Sequence, residues 1–149
     1  MVEETLLHFD GQRYRLAAWV IMPNHVHAMF EVWELPVPKL VKAWKAYTGA
    51  MANRLLHRSG AFWLPDYWDR YMRDEAHFNR ARHYVEWNPV KAFLVKEPEQ
   101  WEWSSANRRW RWDIVEGRTR YTGARLIHEQ HGSADGHVRQ EERKSPKRV

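Results

Sequence analysis

Trp19-Val20-Ile21-Met22-Pro23-Asn24-His25-Val26-His27-Ala28-Met29-Phe30 is the stretch on which the reading of this chain turns. An apolar run arrives, breaks at Met22-Pro23-Asn24, and leaves with histidines at alternate positions. In a β-strand, residues i and i+2 project from the same face. His25 and His27 are therefore expected side by side on one face, with Val26 and Ala28 turned into the core. Two imidazoles held this way are half of a metal site. The plainer alternative is two surface histidines on a half-exposed strand.

Working outward, Tyr14 to Ile21 and His25 to Val32 read as the two strands of a hairpin. Upstream, Val2 to His8 reads as a short helix that Asp10-Gly11 stops. Downstream, Leu35-Pro36-Val37-Pro38 reads as a rigid connector. Leu40, Trp44, Tyr47, Met51 and Leu55 then recur at helical spacing, which predicts an amphipathic helix to about Arg58 that Ser59-Gly60 ends. Its other faces carry Lys39, Lys42, Lys45 and Arg54, a solvated face on which Lys42 and Lys45 are candidate phosphate contacts. Tyr67 to Arg73 reads as a third strand. Asp74 is placed to cap a helix that runs to Asn88, where Pro89 stops it, with Phe78, Ala81 and Val85 as its buried stripe.

The chain of 149 residues suggests one domain with a real core. There is no cysteine, which excludes disulfides and thiolate zinc sites and suits a reducing compartment. No apolar run is long enough to span a bilayer and no secretory signal opens the chain, so the expectation is a soluble cytoplasmic protein. The net charge of +5 suits a polyanion such as nucleic acid, though an ordinary basic protein carries as much. Among the ten tryptophans, Trp110-Arg111-Trp112 with Arg108 and Arg109 interleaves ring and cation. That is the pattern of a single-strand binding surface, or of tryptophans packed under a lid. From about His131 the chain is polar and ends in a basic run, so the expected organisation is a domain over 1–130 and a disordered tail over 131–149.

The helix from Asp74 carries Tyr84 and Asn88. A separation of four residues means about 40° of rotation and about 6 Å of rise, so both share one face beside the apolar stripe. A tyrosine hydroxyl is a candidate covalent nucleophile, and an asparagine carbonyl oxygen is a neutral, hard metal ligand. Each alone also suits an ordinary half-buried tyrosine and an ordinary helix-end asparagine. The combination of His-x-His on a strand with Tyr-x-x-x-Asn-Pro on a helix carries the case.

Together with Phe62-Trp63, the run from Tyr67 to Glu75, Tyr84-Val85-Glu86-Trp87-Asn88-Pro89-Val90-Lys91-Ala92 and Trp101-Glu102-Trp103-Ser104-Ser105-Ala106, these motifs resemble the REP-associated tyrosine transposases. These are the domesticated branch of the HUH single-tyrosine transposases of small insertion sequences. The resemblance runs from about Val2 to Ala106. It implies an α+β fold, a ferredoxin-like βαββαβ domain with an antiparallel sheet and two main helices, acting on single-stranded DNA with palindromic hairpins as a monomer or homodimer. It implies that His25, His27 and Asn88 hold Mg2+ or Mn2+. It further implies that Tyr84 attacks a DNA phosphate, leaving a 5′-phosphotyrosine link and a free 3′-hydroxyl. Arg73, Arg80 and His77 lie near the face or entrance of Tyr84 as candidate phosphate contacts. Arg108, Arg109, Trp110 and Arg111 are candidates for the hairpin.

Two neutral imidazoles and a neutral amide bring no anionic charge, so the ion is expected to bind weakly until a DNA phosphate completes the site. The family pattern begins with a strand and a full helix, whereas the match here begins near the end of that helix. The family's first strand is central, between the histidine strand and the last strand. Its slot is therefore expected to be missing, or closed by another segment or a second copy. A non-catalytic DNA-binding remnant, or a small metal-dependent hydrolase in which Tyr84 is structural, are the competing expectations.

Overall fold

The structure, a computed structural model, describes residues 1–33, 35–107 and 124–131. The expectations for Arg108, Arg109, Trp110, Arg111 and the basic tail lie outside the described residues. Within them the fold is α+β. Its elements are α1 (Val2–His8), β1 (Tyr14–Ile21), β2 (His25–Val32), α2 (Val37–Leu55), β3 (Trp68–Tyr71), α3 (Glu75–Glu86), α4 (Asn88–Lys91), a 3-10 turn at Pro98–Gln100, and β4 (Arg125–Gln130).

The hairpin forms as its alternation requires. Pro23 fixes one corner of the turn, and Met22 N–H donates to the His25 carbonyl at 2.8 Å. Gly11, at φ +78°, makes the turn from α1 into β1, a conformation other residues adopt only with strain. The β1–β2 register breaks between Leu16 and Ala18. This bulge inserts one residue and flips the facing of the rest of the strand. Tyr14 and Leu16 lie in the same core as Trp19, whereas Ala18 and Val20 lie in the other.

The sheet thus has an apolar cluster on each face. On one face, α1 and α2 cover Tyr14, Val26, Ala28, Phe30 and Ile127. There Trp44 meets Tyr14 and Phe30 edge-to-face at 5.1 and 5.2 Å between ring centroids, and the Tyr14 hydroxyl donates to the Leu6 carbonyl at 2.8 Å. On the other face, Phe78, Ala81 and Val85 of α3 cover Ala18, Val20, Met29 and Leu126. The α3 stripe is the expected one. Asp74 caps this helix, its carboxylate accepting from His77 N–H at 2.7 Å.

The sheet order is β1-β2-β4-β3, with every neighbouring pair antiparallel. The slot between the histidine strand and β3 is therefore filled by the chain's own C-terminal segment. With α1 and α2 on one face, this is the ferredoxin-like arrangement with β4 in the place of the expected first strand. β4 itself was not foreseen. Only Leu126 and Ile127 in it are apolar, and Glu129 is turned inward.

Four local expectations are corrected. Pro36 and Pro38 do not form a connector, because they open α2: Pro36 is its N-cap and Pro38 sits in its first turn, where no N–H is needed. The helix ends at Leu55, before Arg58, and its inward stripe is Val37, Leu40, Val41, Trp44, Thr48 and Ala52. Tyr47 and Leu55 are 59% and 64% exposed. Thr48 is tolerated inside because its hydroxyl donates to the Trp44 carbonyl at 2.7 Å and accepts from Trp63 Nε1 at 2.8 Å. The third strand is limited to Trp68–Tyr71. Finally, Pro89 does not end the helical path. Trp87 closes α3 and opens α4, whose first turn holds Asn88 and Pro89.

Lys45 binds β4 to α2. Its ammonium donates to the carbonyls of Leu64 and Pro65 at 2.6 and 3.1 Å and pairs with Glu129 at 3.0 Å. Burial pushes the Glu129 carboxyl up, to about 7, against the pull of Lys45. Lys45→Met is expected to cost about 3 kcal/mol, because it leaves the buried Glu129 carboxyl without its partner. Lys45→Met/Glu129→Leu is expected to recover most of that loss in urea denaturation. Equal losses in the single and double variants would show that the pair does not carry it.

Candidate metal and nucleophile site

The face of the sheet that carries α3 also carries both histidines. His25 and His27 project together, with ring centroids 4.9 Å apart. His27 is only 2% exposed, on the floor of the site. Asn88, at the start of α4, reaches over them: its Oδ1 lies 3.3 Å from His25 Nε2 and its Nδ2 lies 3.2 Å from His27 Nε2. The Tyr84 ring lies 5.3 Å from that of His27, edge-on, and is 42% exposed. The Lys91 ammonium sits 4.8 Å from the Tyr84 ring centre. Residues far apart in sequence, expected from two separate motifs, thus meet at one place.

A third imidazole joins them. His128 lies directly opposite His27 in the β2–β4 register, and cross-strand partners share a face. Its ring centroid is 4.4 Å from that of His27 and 4.8 Å from that of His25. One ligand atom from each of the three histidines lies within 4.8 Å of the others.

The donor chemistry fits a cation. His25 Nδ1 faces Asn24 Oδ1 at 2.7 Å, and its Nε2 faces Asn88 Oδ1 at 3.3 Å. A neutral imidazole has one N–H, so it can donate to only one of these oxygens. With the proton on Nδ1 at the shorter contact, the Nε2 lone pair and the Asn88 oxygen face each other, and a cation relieves that opposition. Among the described residues, His27 Nδ1 and His128 Nε2 are buried without a hydrogen-bond partner. Burial, aided by the neighbouring histidines, lowers the pKa of His27 to about 3 and that of His128 to about 4, so at neutral pH both are neutral imidazoles.

Beside the histidines opens a cleft of about 810 Å³, lined by Tyr84, His77, Arg80, Arg70, Trp68 and His128 among others. Arg80 and His77 are thus brought to the tyrosine. Arg73 is exposed just before α3 and does not line the cleft. Lys42 and Lys45 do not join the site. They stand on α2, which covers the opposite face, where Lys42 borders a separate groove and Lys45 is engaged with Glu129.

Sequence reasoning missed His128, Trp68 and Arg70 as site residues. The signal for Trp68 and Arg70 was their alternate spacing in a strand. For His128 there was none without knowing where its strand pairs.

No family model matches the chain, and no solved structure matches it. The chain is similar to the REP-associated tyrosine transposase of Escherichia coli (strain K12), at 26% identity over 108 residues. The match covers 70% of this chain and 59% of that protein, so the chain spans less than two thirds of the relative's length.

Proposed function

We propose that this protein is a metal-dependent, single-stranded DNA endonuclease and strand transferase of the REP-associated tyrosine transposase kind. Tyr84 would be its nucleophile and palindromic hairpin DNA its substrate. The observation that carries the reading is the meeting of Tyr84 and Asn88 with His25 and His27 on one open face of the sheet. The likeness to a protein of that name supports it.

The residues suggest how the work divides. His25, His27 and Asn88 would hold a divalent ion, which when bound draws charge off the non-bridging oxygens of a phosphate. The half-exposed Tyr84 lines the cleft. Its phenolic oxygen forms a bond to phosphorus as the bond to the 3′ oxygen breaks. The phenolic proton is lost and the 3′ oxygen takes one up. The new ester conserves the energy of the broken one, so rejoining needs no nucleotide cofactor. Arg80, Arg70 and His77 line the path the strand would take and suit its phosphates. Trp68, exposed at the cleft with the Arg70 guanidinium 4.9 Å from its ring centre, suits an unpaired base.

The test is to mix the protein with end-labelled single-stranded hairpin DNA and Mn2+ and run a denaturing gel. The expected result is a protein–DNA band that is absent with chelator. A folded protein that binds the DNA and gives no band would replace this reading with a non-catalytic binding module.

A further inference from the structure

We propose that His128 is a ligand of the same metal centre, so that a bound ion fastens the interior strand β4 to the β1–β2 hairpin. The inference rests on the reading that His25 and His27 hold a metal. It adds a ligand from a segment outside the motifs that pointed to the site. It also changes which ion the site prefers.

Three observations carry it. The register sets His128 across from His27, so the strand pairing itself delivers the imidazole to the site. The ligand atoms of His25, His27 and His128 already lie within 4.8 Å of one another. Metal–nitrogen bonds of about 2.1 Å put two ligands at most about 4.2 Å apart, so small side-chain rotations close the set. And His128 Nε2 is buried without a hydrogen-bond partner among the described residues. A buried polar atom left unpaired is costly, and native folds seldom leave one without a use.

Three imidazoles suit borderline ions such as Co2+ or Zn2+. Mg2+ prefers oxygen ligands in a rigid octahedron and retains its waters, so a third nitrogen donor disfavours it. With ligands on β2 and β4 and an amide on α4, the ion ties together elements from both ends of the described chain. Loading should therefore protect β4.

The experiment titrates the full chain, without DNA, with Co2+. It follows the visible absorption of the ion and the hydrogen exchange of residues 125–130. His128→Phe keeps a ring in the strand and removes the nitrogen. Its circular dichroism and melting temperature establish that it folds, and His128→Ala serves as the second variant. The expected result is Co2+ affinity at least about tenfold weaker in both variants, a changed cobalt spectrum, and slowed exchange over 125–130 in the wild-type chain alone. The preference for Co2+ over Mg2+ should narrow in both variants. The same affinity and spectrum in wild type and His128→Phe would overturn the proposal and leave the metal reading of His25 and His27 standing. Wild-type protein that takes up no Co2+ even with hairpin DNA added would overturn both.

Discussion

Tyr84→Phe is expected to abolish the covalent protein–DNA band, with a loss of at least about a thousandfold, while the folded protein keeps its affinity for hairpin DNA within about threefold. The substitution removes one oxygen and keeps the ring. That ring is partly exposed and rests against His27 and under Lys91, contacts a phenylalanine retains. The hydroxyl makes no hydrogen bond among the described residues, so its removal should move stability by less than about 0.5 kcal/mol. Chemistry and fold are therefore separable at this position. A band of undiminished strength in Tyr84→Phe would assign the attack to another group or to water, and Tyr84 would become a packing residue. Turnover that persists with no covalent band in either protein would point to a hydrolase.

Legibility in the sequence was uneven for physical reasons. The hairpin could be read to the residue, because its alternation is backed by a proline turn and each signal is local. The α3 stripe was equally plain, since Phe78, Ala81 and Val85 are the apolar positions of a capped helix. The inward face of α2 was misjudged by about one position. Tyr47 and Leu55 look like core residues, but the helix turns Thr48 and Ala52 inward, and a threonine is acceptable there only because Trp44 and Trp63 satisfy its hydroxyl. That compensation is tertiary and leaves no periodic trace.

The site divides in the same way. His25 and His27 were legible because they have the spacing of one strand, and Tyr84 and Asn88 because they have the spacing of a helical path that continues from α3 into α4. His128 was not, because its place depends on a register set between segments about a hundred residues apart in sequence. The strand that carries it breaks the alternation rule. Glu129 faces the α2 side, where only the Lys45 ammonium makes an acid tolerable. Lys45 itself, read as a surface cation, proves to be the partner of that acid.

A chain ending at Gly123 is expected not to fold, whereas a chain ending at His131 should melt like the full protein. β4 is an interior strand: it pairs with β2 over six positions and with β3 over four, and without it neither of those edges has a partner. Leu126 and Ile127 are each at most 5% exposed, on opposite faces of the sheet, so both apolar clusters lose a member at once. Burying two such side chains is worth about 1.5–3 kcal/mol each. Ladder hydrogen bonds add about 1 kcal/mol each, and the loss of Glu129 removes the carboxylate partner of the Lys45 ammonium. The sum is on the order of 10 kcal/mol, comparable with the whole stability of a domain of this size. The readouts are far-UV circular dichroism and urea denaturation of the two truncations beside the full chain. An unfolded spectrum for the shorter chain, with a cooperative transition for the longer one, is what a sheet closed by its own C-terminal strand requires. A cooperative, native-like melt of the chain ending at Gly123 would mean that the slot beside the histidine strand does not need β4. Both the topology and the delivery of His128 to the site would then have to be abandoned.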